Sequence, residues 1–206
     1  MAAVPVVVFS DFTCPFSHVT EAALRRLEDE GLAAPRYAAF ELHPAPTLLG
    51  TPSADDVRAA LPLAEELGIA LRLPPSSPRT RKAHEAAKLA EQKGVGRAMR
   101  EALFAAYFGE GRDVGRIDVL VELGAAQGLD ATELKVVLDV DTFSGAVDAD
   151  RVLAARLGIA AVPVLIVGAG ADAELVSGAQ PYAALRELLE RKGGRLDRGA
   201  NASGSA

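Results

Sequence analysis

The chain has 206 residues, of which half are apolar and only 5% aromatic, and its formal net charge is −6. This size fits one domain, alone or carrying a large insertion, and the apolar content excludes a wholly disordered chain. The acidic charge balance argues against nucleic-acid binding. The chain has no long apolar run, which argues against a membrane span, and no basic leader, which argues against a secretory signal. We therefore expect a cytoplasmic protein.

The N-terminal segment predicts a βαβ unit. A Val-rich run between small residues predicts a buried strand over 4–10. Pro15 and Gly31 suit the beginning and the end of a helix over 15–30, and PRYAAFEL predicts a second strand over 36–41. The order strand, helix, strand favours parallel pairing of the two strands.

Helical patterns fill the middle of the chain. Ser53 and Asp56 have the spacing of a capping box, which predicts the start of a helix, and we expect Pro62 to kink or end it. The apolar spacing predicts further helices over 79–93, 95–106, 117–127, 131–139 and 143–157.

The strand signal returns near the C-terminus. AAVPVLIVGAG predicts a buried strand over 164–167, and residues 173–177 predict a short partner strand in a hairpin. Pro181 opens a last helix that ends at Lys192. We expect the Gly/Ser-rich tail, 193–206, to be disordered.

This element order resembles that of thioredoxin domains. We predict an α/β thioredoxin-like domain (βαβ…ββα) formed by residues 1–50 and 158–192. An all-helical insertion over 51–157 interrupts it.

The chemistry centres on Cys14, the one cysteine, which excludes an internal disulfide and a Cys-based structural zinc site. Pro15 at the first helical position places Cys14 at the N-cap, where unpaired N–H groups favour the thiolate. We therefore expect its pKa to lie below the ordinary value of about 8.5. Ser17 can donate a hydrogen bond to the sulfur. The alternative is that Cys14 is a small residue packed at the strand–helix junction.

Val162 and Pro163 form a second feature, just before the strand at 164–167. A proline at the start of a strand is unremarkable by itself. A cis bond facing Cys14 would leave the backbone groups of Val162 free to pair with an extended peptide or with glutathione.

Six stretches carry a family resemblance: FSDFTCPFSH, FELHP, PRTRKAHEAAKLAEQKG, LFAAYFGEGRDVG, LGIAAVPVLIVG and SGAQP. With them the chain resembles the DsbA-like thioredoxin superfamily from Val4 to Arg191. The resemblance is to the FrnE-type thiol–disulfide oxidoreductases, which are related to 2-hydroxychromene-2-carboxylate isomerases and kappa-class glutathione transferases. It implies a thioredoxin-like fold with a helical insertion that roofs the active site.

The CPFS motif departs from both branches of this family. FrnE-type oxidoreductases usually carry Cys-Pro-Trp-Cys, whereas the isomerases and transferases resemble Ser-Pro-Tyr-Ser. This chain combines Cys14 of the first branch with Ser17 of the second, and Phe16 replaces the Trp. A dithiol cycle within one chain is excluded, so an external thiol or the Cys14 of a second copy must resolve a mixed disulfide.

Four polar residues near the motif have two interpretations each. Asp11 either shuttles protons or bonds its own loop. His18 either supports the thiolate as a cation or lies on an exposed helix surface. His43 stands where the family more often shows Asn, and it either lines the cleft or caps a loop. His84 matches an Ala-His pair of the family, and it either faces the cleft or packs between helices.

The first functional hypothesis is a monothiol thiol–disulfide oxidoreductase. Cys14 attacks a disulfide or a glutathionylated protein, and Pro15, Phe16, Val162 and Pro163 hold the substrate. Glutathione or another low-molecular-weight thiol is the expected co-substrate, and we expect no tightly bound cofactor. We also expect no metal site, because the three histidines are too scattered in the sequence to form one.

Two alternatives stay open. A glutathione-dependent isomerase or transferase would use Ser17 and the backbone near Val162 to hold glutathione, with a small electrophile as substrate. The resemblance places Ser177 and Gln180 near the glutathione in that branch. A non-catalytic binding module is the third hypothesis, and the Ala-rich helices leave room for a homodimer.

Overall fold

The two ends of the chain together form a four-stranded sheet. The computed structural model describes residues 2–202, with side chains over 2–194. The strands are β1 (Val4–Ser10), β2 (Ala33–Ala39), β3 (Val164–Val167) and β4 (Glu174–Ser177), in the order β2-β1-β3-β4. β1 and β2 are parallel, as predicted, and β3 is antiparallel to both β1 and β4.

Eight helices accompany the sheet within the described residues. They are α1 (Pro15–Asp29), α2 (Ala54–Leu67), α3 (Arg81–Gln92), α4 (Gly96–Phe104), α5 (Ile117–Ala126), α6 (Ala131–Asp139), α7 (Ser144–Arg156) and α8 (Tyr182–Ala202). A π-helical segment, Ala105–Gly109, continues α4, and a 3-10 turn, Gly170–Asp172, separates β3 from β4. None of the helices in this part of the chain combines the length and the apolar character needed to cross a membrane.

Strand β1 has buried residues on both of its faces, since neighbouring residues of a strand point to opposite sides of the sheet. Val8 belongs to the large core that also contains apolar residues of α1, α8 and the helices between β2 and β3. Phe9 packs on the other face with Ala38, Val164 and Ala154, which belongs to α7. The βαβ…ββα order with this layering confirms the thioredoxin-like fold.

The helical segment predicted as an insertion lies between β2 and β3. Its last helix, α7, contacts β2 directly and covers one face of the sheet. The boundaries of the insertion, 51–157, stay a prediction.

Three predicted boundaries differ from the structure. β2 lies at Ala33–Ala39 rather than 36–41, because its seven residues pair one to one with those of β1. α2 continues through Pro62, which is exposed, so water can satisfy the carbonyl that the proline leaves unpaired. α8 does not end at Lys192 but continues to Ala202, since each residue added to an anchored helix gains a hydrogen bond. The remaining tail residues, 203–206, lie outside the described residues.

Candidate active site at the start of helix α1

Cys14 is the N-cap of α1, as the sequence predicts. Its backbone is extended (φ −91°, ψ 117°), and Pro15 occupies the first turn. The N–H of Ser17 donates to the Cys14 sulfur over 3.4 Å. The thiol in turn donates to the carbonyl oxygen of Val162, also over 3.4 Å. The sulfur is therefore held between the helix end and the loop that precedes β3.

The predicted lowering of the Cys14 pKa is wrong. Cys14 is only 5% exposed, and this burial raises the pKa of its thiol from 9.0 to about 11. Hydrogen bonds from Ser17 act in the opposite direction, and the negative charge of Asp11 raises the pKa further. The loss of hydration therefore outweighs the stabilisation by the helix end. A thiolate that is removed from water loses more solvation free energy than the hydrogen bonds at this site restore.

The Cys14 sulfur borders a cavity of about 340 Å³. This volume is at the small end of the range for ligand pockets. The wall of the cavity comprises residues 13–16, 42–43, 51–53, 56–57, 74, 77, 107–108 and 161–162. Much of this wall comes from the start of α2, from the segment before α3 and from the π-helical segment, so the helical segment encloses the cavity, as the family resemblance implied. We name this space the Cys14 cavity.

The loop before β3 contains a cis peptide bond between Val162 and Pro163. Within residues 2–202 the N–H of Val162 donates to no protein acceptor, and its carbonyl accepts only from Cys14. Phe16 and Pro15 line the Cys14 cavity with Val162, while Pro163 lines a second cavity of about 340 Å³, which Val162 also borders.

Two residues suggested by the family resemblance lie away from the Cys14 cavity. Ser177 lines the second cavity and is exposed. Gln180 borders neither cavity, and its amide donates to the carbonyl oxygens of Ser177 and Gly178. The structure therefore does not bring these two side chains to the sulfur.

Asp11 bonds its own surroundings, one of its two predicted roles. One carboxylate oxygen accepts from the N–H (2.7 Å) and the hydroxyl (2.6 Å) of Thr13. The other accepts from the N–H of Leu42 (2.9 Å) and the hydroxyl of Thr80 (2.8 Å). This buried carboxylate joins the loop before α1, the loop after β2 and the start of α3, and its four acceptor positions are filled.

The three histidines have different surroundings. His18 is buried, so both predicted roles, a nearby cation and an exposed helix residue, are wrong: its ring stacks on Phe104 and Phe108, and burial lowers its pKa to about 4. His84 packs in the core against Phe12, and burial lowers its pKa to about 4 as well. His43 lines the Cys14 cavity.

A buried ion pair beside the site escaped the sequence analysis. Arg100 donates twice to Glu21, over 2.6 and 2.8 Å, and the hydroxyl of Ser10 bridges the two side chains. The guanidinium lies over the rings of Phe12 (4.8 Å) and Tyr37 (4.2 Å). Glu21 and Arg100 are 79 positions apart, so no local pattern signals their contact.

The π-helical segment was also missed. It carries Tyr107 and Phe108, both of which line the Cys14 cavity. The Tyr107 hydroxyl donates to the carbonyl of Ser76, and burial raises its pKa to about 12. Such segments are frequent at functional sites. Within the described residues no three His, Cys, Asp or Glu side chains gather as metal ligands do.

Comparisons with known proteins agree with this geometry. The model of the DSBA-like thioredoxin domain matches residues 5–190. The uncharacterized protein YwbO of Bacillus subtilis is 30% identical over 174 residues, which cover 80% of this chain and 87% of that protein. A probable DsbA oxidoreductase from Streptomyces coelicolor superposes with a TM-score of 0.78 at 26% identity, over 93% of this chain and 90% of the other. A 2-hydroxychromene-2-carboxylate isomerase has a TM-score of 0.73 at 23% identity, over 98% of this chain and all of its own. The chain belongs to the DSBA-like thioredoxin domain family.

Proposed function

We propose that the protein is a cytoplasmic monothiol thiol–disulfide oxidoreductase. The observation that carries this proposal is the position of Cys14. Its sulfur borders the Cys14 cavity and lies 3.4 Å from the carbonyl of Val162. A disulfide in the cavity can therefore meet the attacking sulfur and a backbone edge at the same time.

The reaction is an exchange in which atoms and electrons balance. Cys14 loses its proton, and the thiolate attacks one sulfur of the substrate disulfide. The S–S bond of the substrate breaks, and its other sulfur leaves as a thiolate. That leaving thiolate takes up a proton. One half of the substrate is then joined to Cys14 in a mixed disulfide, and the other half has been released as a thiol.

Ser17 supports the sulfur but cannot complete the cycle. Its N–H donates to Cys14, and its buried side chain has no thiol with which to attack the mixed disulfide. An external low-molecular-weight thiol such as glutathione must therefore release the substrate, and the Cys14 cavity has the size for a small ligand. Phe16 and the free N–H of Val162 are the groups we assign to holding it.

The test is mixed-disulfide formation followed by intact mass. The folded protein is incubated with glutathione disulfide, and we expect one glutathione adduct that disappears on addition of reduced glutathione. The variant Cys14→Ser should form none. Turnover of a small disulfide with glutathione should follow the same pattern. If the folded protein forms no adduct at any pH at which the unfolded chain does, the proposed exchange is wrong.

The enclosed, protonated thiol favours a second candidate, a glutathione-dependent isomerase or transferase. Burial keeps the pKa of Cys14 near 11, so the sulfur need not act as a nucleophile at all. In that case glutathione would occupy the Cys14 cavity and a small electrophile would react with it. The discriminating variant is Cys14→Ala: glutathione-dependent turnover of an aromatic electrophile that survives this change would favour the second candidate.

A further inference from the structure

We propose that His43 is the general base that takes the proton from Cys14 when a disulfide occupies the Cys14 cavity. The inference rests on the proposed exchange function and assigns one further catalytic residue to it. His43 follows β2, whereas Cys14 precedes α1, so the two residues come from different segments that meet at the same cavity.

The carboxylate of Asp11 fixes these two segments relative to each other. One of its oxygens accepts the N–H of Thr13, the residue before Cys14, over 2.7 Å. The other oxygen accepts the N–H of Leu42, the residue before His43, over 2.9 Å. Cys14 and His43 therefore each directly follow a residue whose N–H is hydrogen-bonded to the carboxylate of Asp11.

The loop that carries His43 is also held from its far side. The guanidinium of Arg79 donates to the carbonyl of His43 over 2.9 Å and to that of Thr47 over 2.8 Å. These contacts use only the backbone of His43. His43 lines the cavity with Cys14, Tyr107 and Asp56.

The sulfur needs such a base, and the other candidates are engaged or unsuited. All four acceptor positions of the Asp11 carboxylate are filled. His18 lies outside the cavity, and its Nε2 is hydrogen-bonded to the carbonyl oxygen of Ala70. Asp56 and Tyr107 line the cavity, but carboxylates are weak bases at neutral pH and phenols hold their proton there. A neutral imidazole has one ring nitrogen that can accept a proton, and His43 lines the cavity.

In this step the Cys14 proton passes to the imidazole of His43, directly or through one water. The thiolate attacks the disulfide, the substrate S–S bond breaks, and the imidazolium returns the proton to the leaving thiolate. No further oxidant is needed, because the substrate disulfide is itself the oxidant and is reduced as Cys14 enters the mixed disulfide.

The test is the pH profile of exchange with glutathione disulfide. We compare the wild-type chain with His43→Asn, which restores the residue more frequent in the family, and with His43→Gln. A matched control in the same loop is Leu48→Asn, since Leu48 is 88% exposed and does not line the cavity. Both His43 variants should be slower at pH 7 by about 100-fold. Their rates should rise tenfold per pH unit, while the wild-type rate levels off above the titration of its base.

Two further readings separate this role from a structural one. Added imidazole should restore part of the rate of His43→Asn and leave the control unchanged. Equal profiles for His43→Asn and wild type, or a uniform loss at every pH without rescue, overturn the role of His43. Absence of exchange in the wild-type chain instead overturns the proposed function itself, so the two failures are distinguishable.

Discussion

Titration of Cys14 tests the balance of forces at the site most directly. Burial raises the pKa of this thiol to about 11, two units above 9.0. At pH 7 the thiolate should then be about one molecule in 10,000, roughly 300-fold less than for an exposed thiol with a pKa of about 8.5. The assay is the rate of alkylation against pH, followed by intact mass. The chain has one cysteine, so every adduct belongs to this residue.

Two controls make the result interpretable. The variant Cys14→Ser with Ala59→Cys places the single thiol on the exposed surface of α2 and should titrate near about 8.5. The wild-type chain in denaturant should do the same. A midpoint for folded Cys14 below that of the Ala59→Cys control would refute the reasoning that lost hydration outweighs the helix end.

The same shift links stability to alkaline pH. Because folding raises the pKa of Cys14, this residue contributes to the free energy of unfolding. The contribution is fully present below the pKa of the thiol in the unfolded chain and is lost as pH rises towards about 11. Two units correspond to about 3 kcal/mol. Cys14→Ala should therefore flatten the fall in unfolding free energy above pH 9, measured by urea titration.

Two further predictions concern the core. Arg100→Gln should cost about 3–5 kcal/mol by leaving Glu21 buried without its partner, and the double variant with Glu21→Gln should cost less than the sum of the single changes. Denaturant unfolding measures this cycle, and Arg58→Ala, at an exposed pair, should cost less than about 1 kcal/mol. A strictly additive cycle would show that the buried pair is not coupled. Burial lowers the pKa of His18 and of His84 to about 4, so the stability they contribute is present above about 6.5 and should be lost as pH falls towards 4. Constant unfolding free energy over that range would contradict it.

Local chemistry made the framework of the site predictable from the sequence. The Val-rich run predicted β1 with its observed bounds, because a short run of β-branched residues favours a strand through local preferences. Pro15 identified the first turn of α1 and so the N-cap position of Cys14, because a proline is favoured at that one place in a helix. The hairpin before α8 followed from Gly and Pro signals alone.

The properties that depend on distant segments could not be predicted in this way. The helix end beside Cys14 is visible in CPFS, but the residues that line the cavity next to it include 42–43, 51–53, 56–57, 74, 77 and 107–108, which are distant in sequence. The same reason explains the error at His18, which lies against Phe104 and Phe108 rather than at the surface. Burial is a property of the assembled chain, and it decides the protonation of both residues.

A protonated resting thiol suits an enzyme with one cysteine. A permanent thiolate would be open to oxidation, and Ser17 could not rescue a sulfenic acid by forming a disulfide. The hydrogen bond from the thiol to the carbonyl of Val162 is made only by the protonated sulfur, so it favours the less reactive form. In the proposed exchange, activation therefore comes with the substrate, which brings the sulfur, the disulfide and a base together. The buried thiol and the proposed role of His43 are therefore linked. Burial lowers the reactivity of Cys14 by keeping it protonated, and the proposed base restores that reactivity by removing the proton.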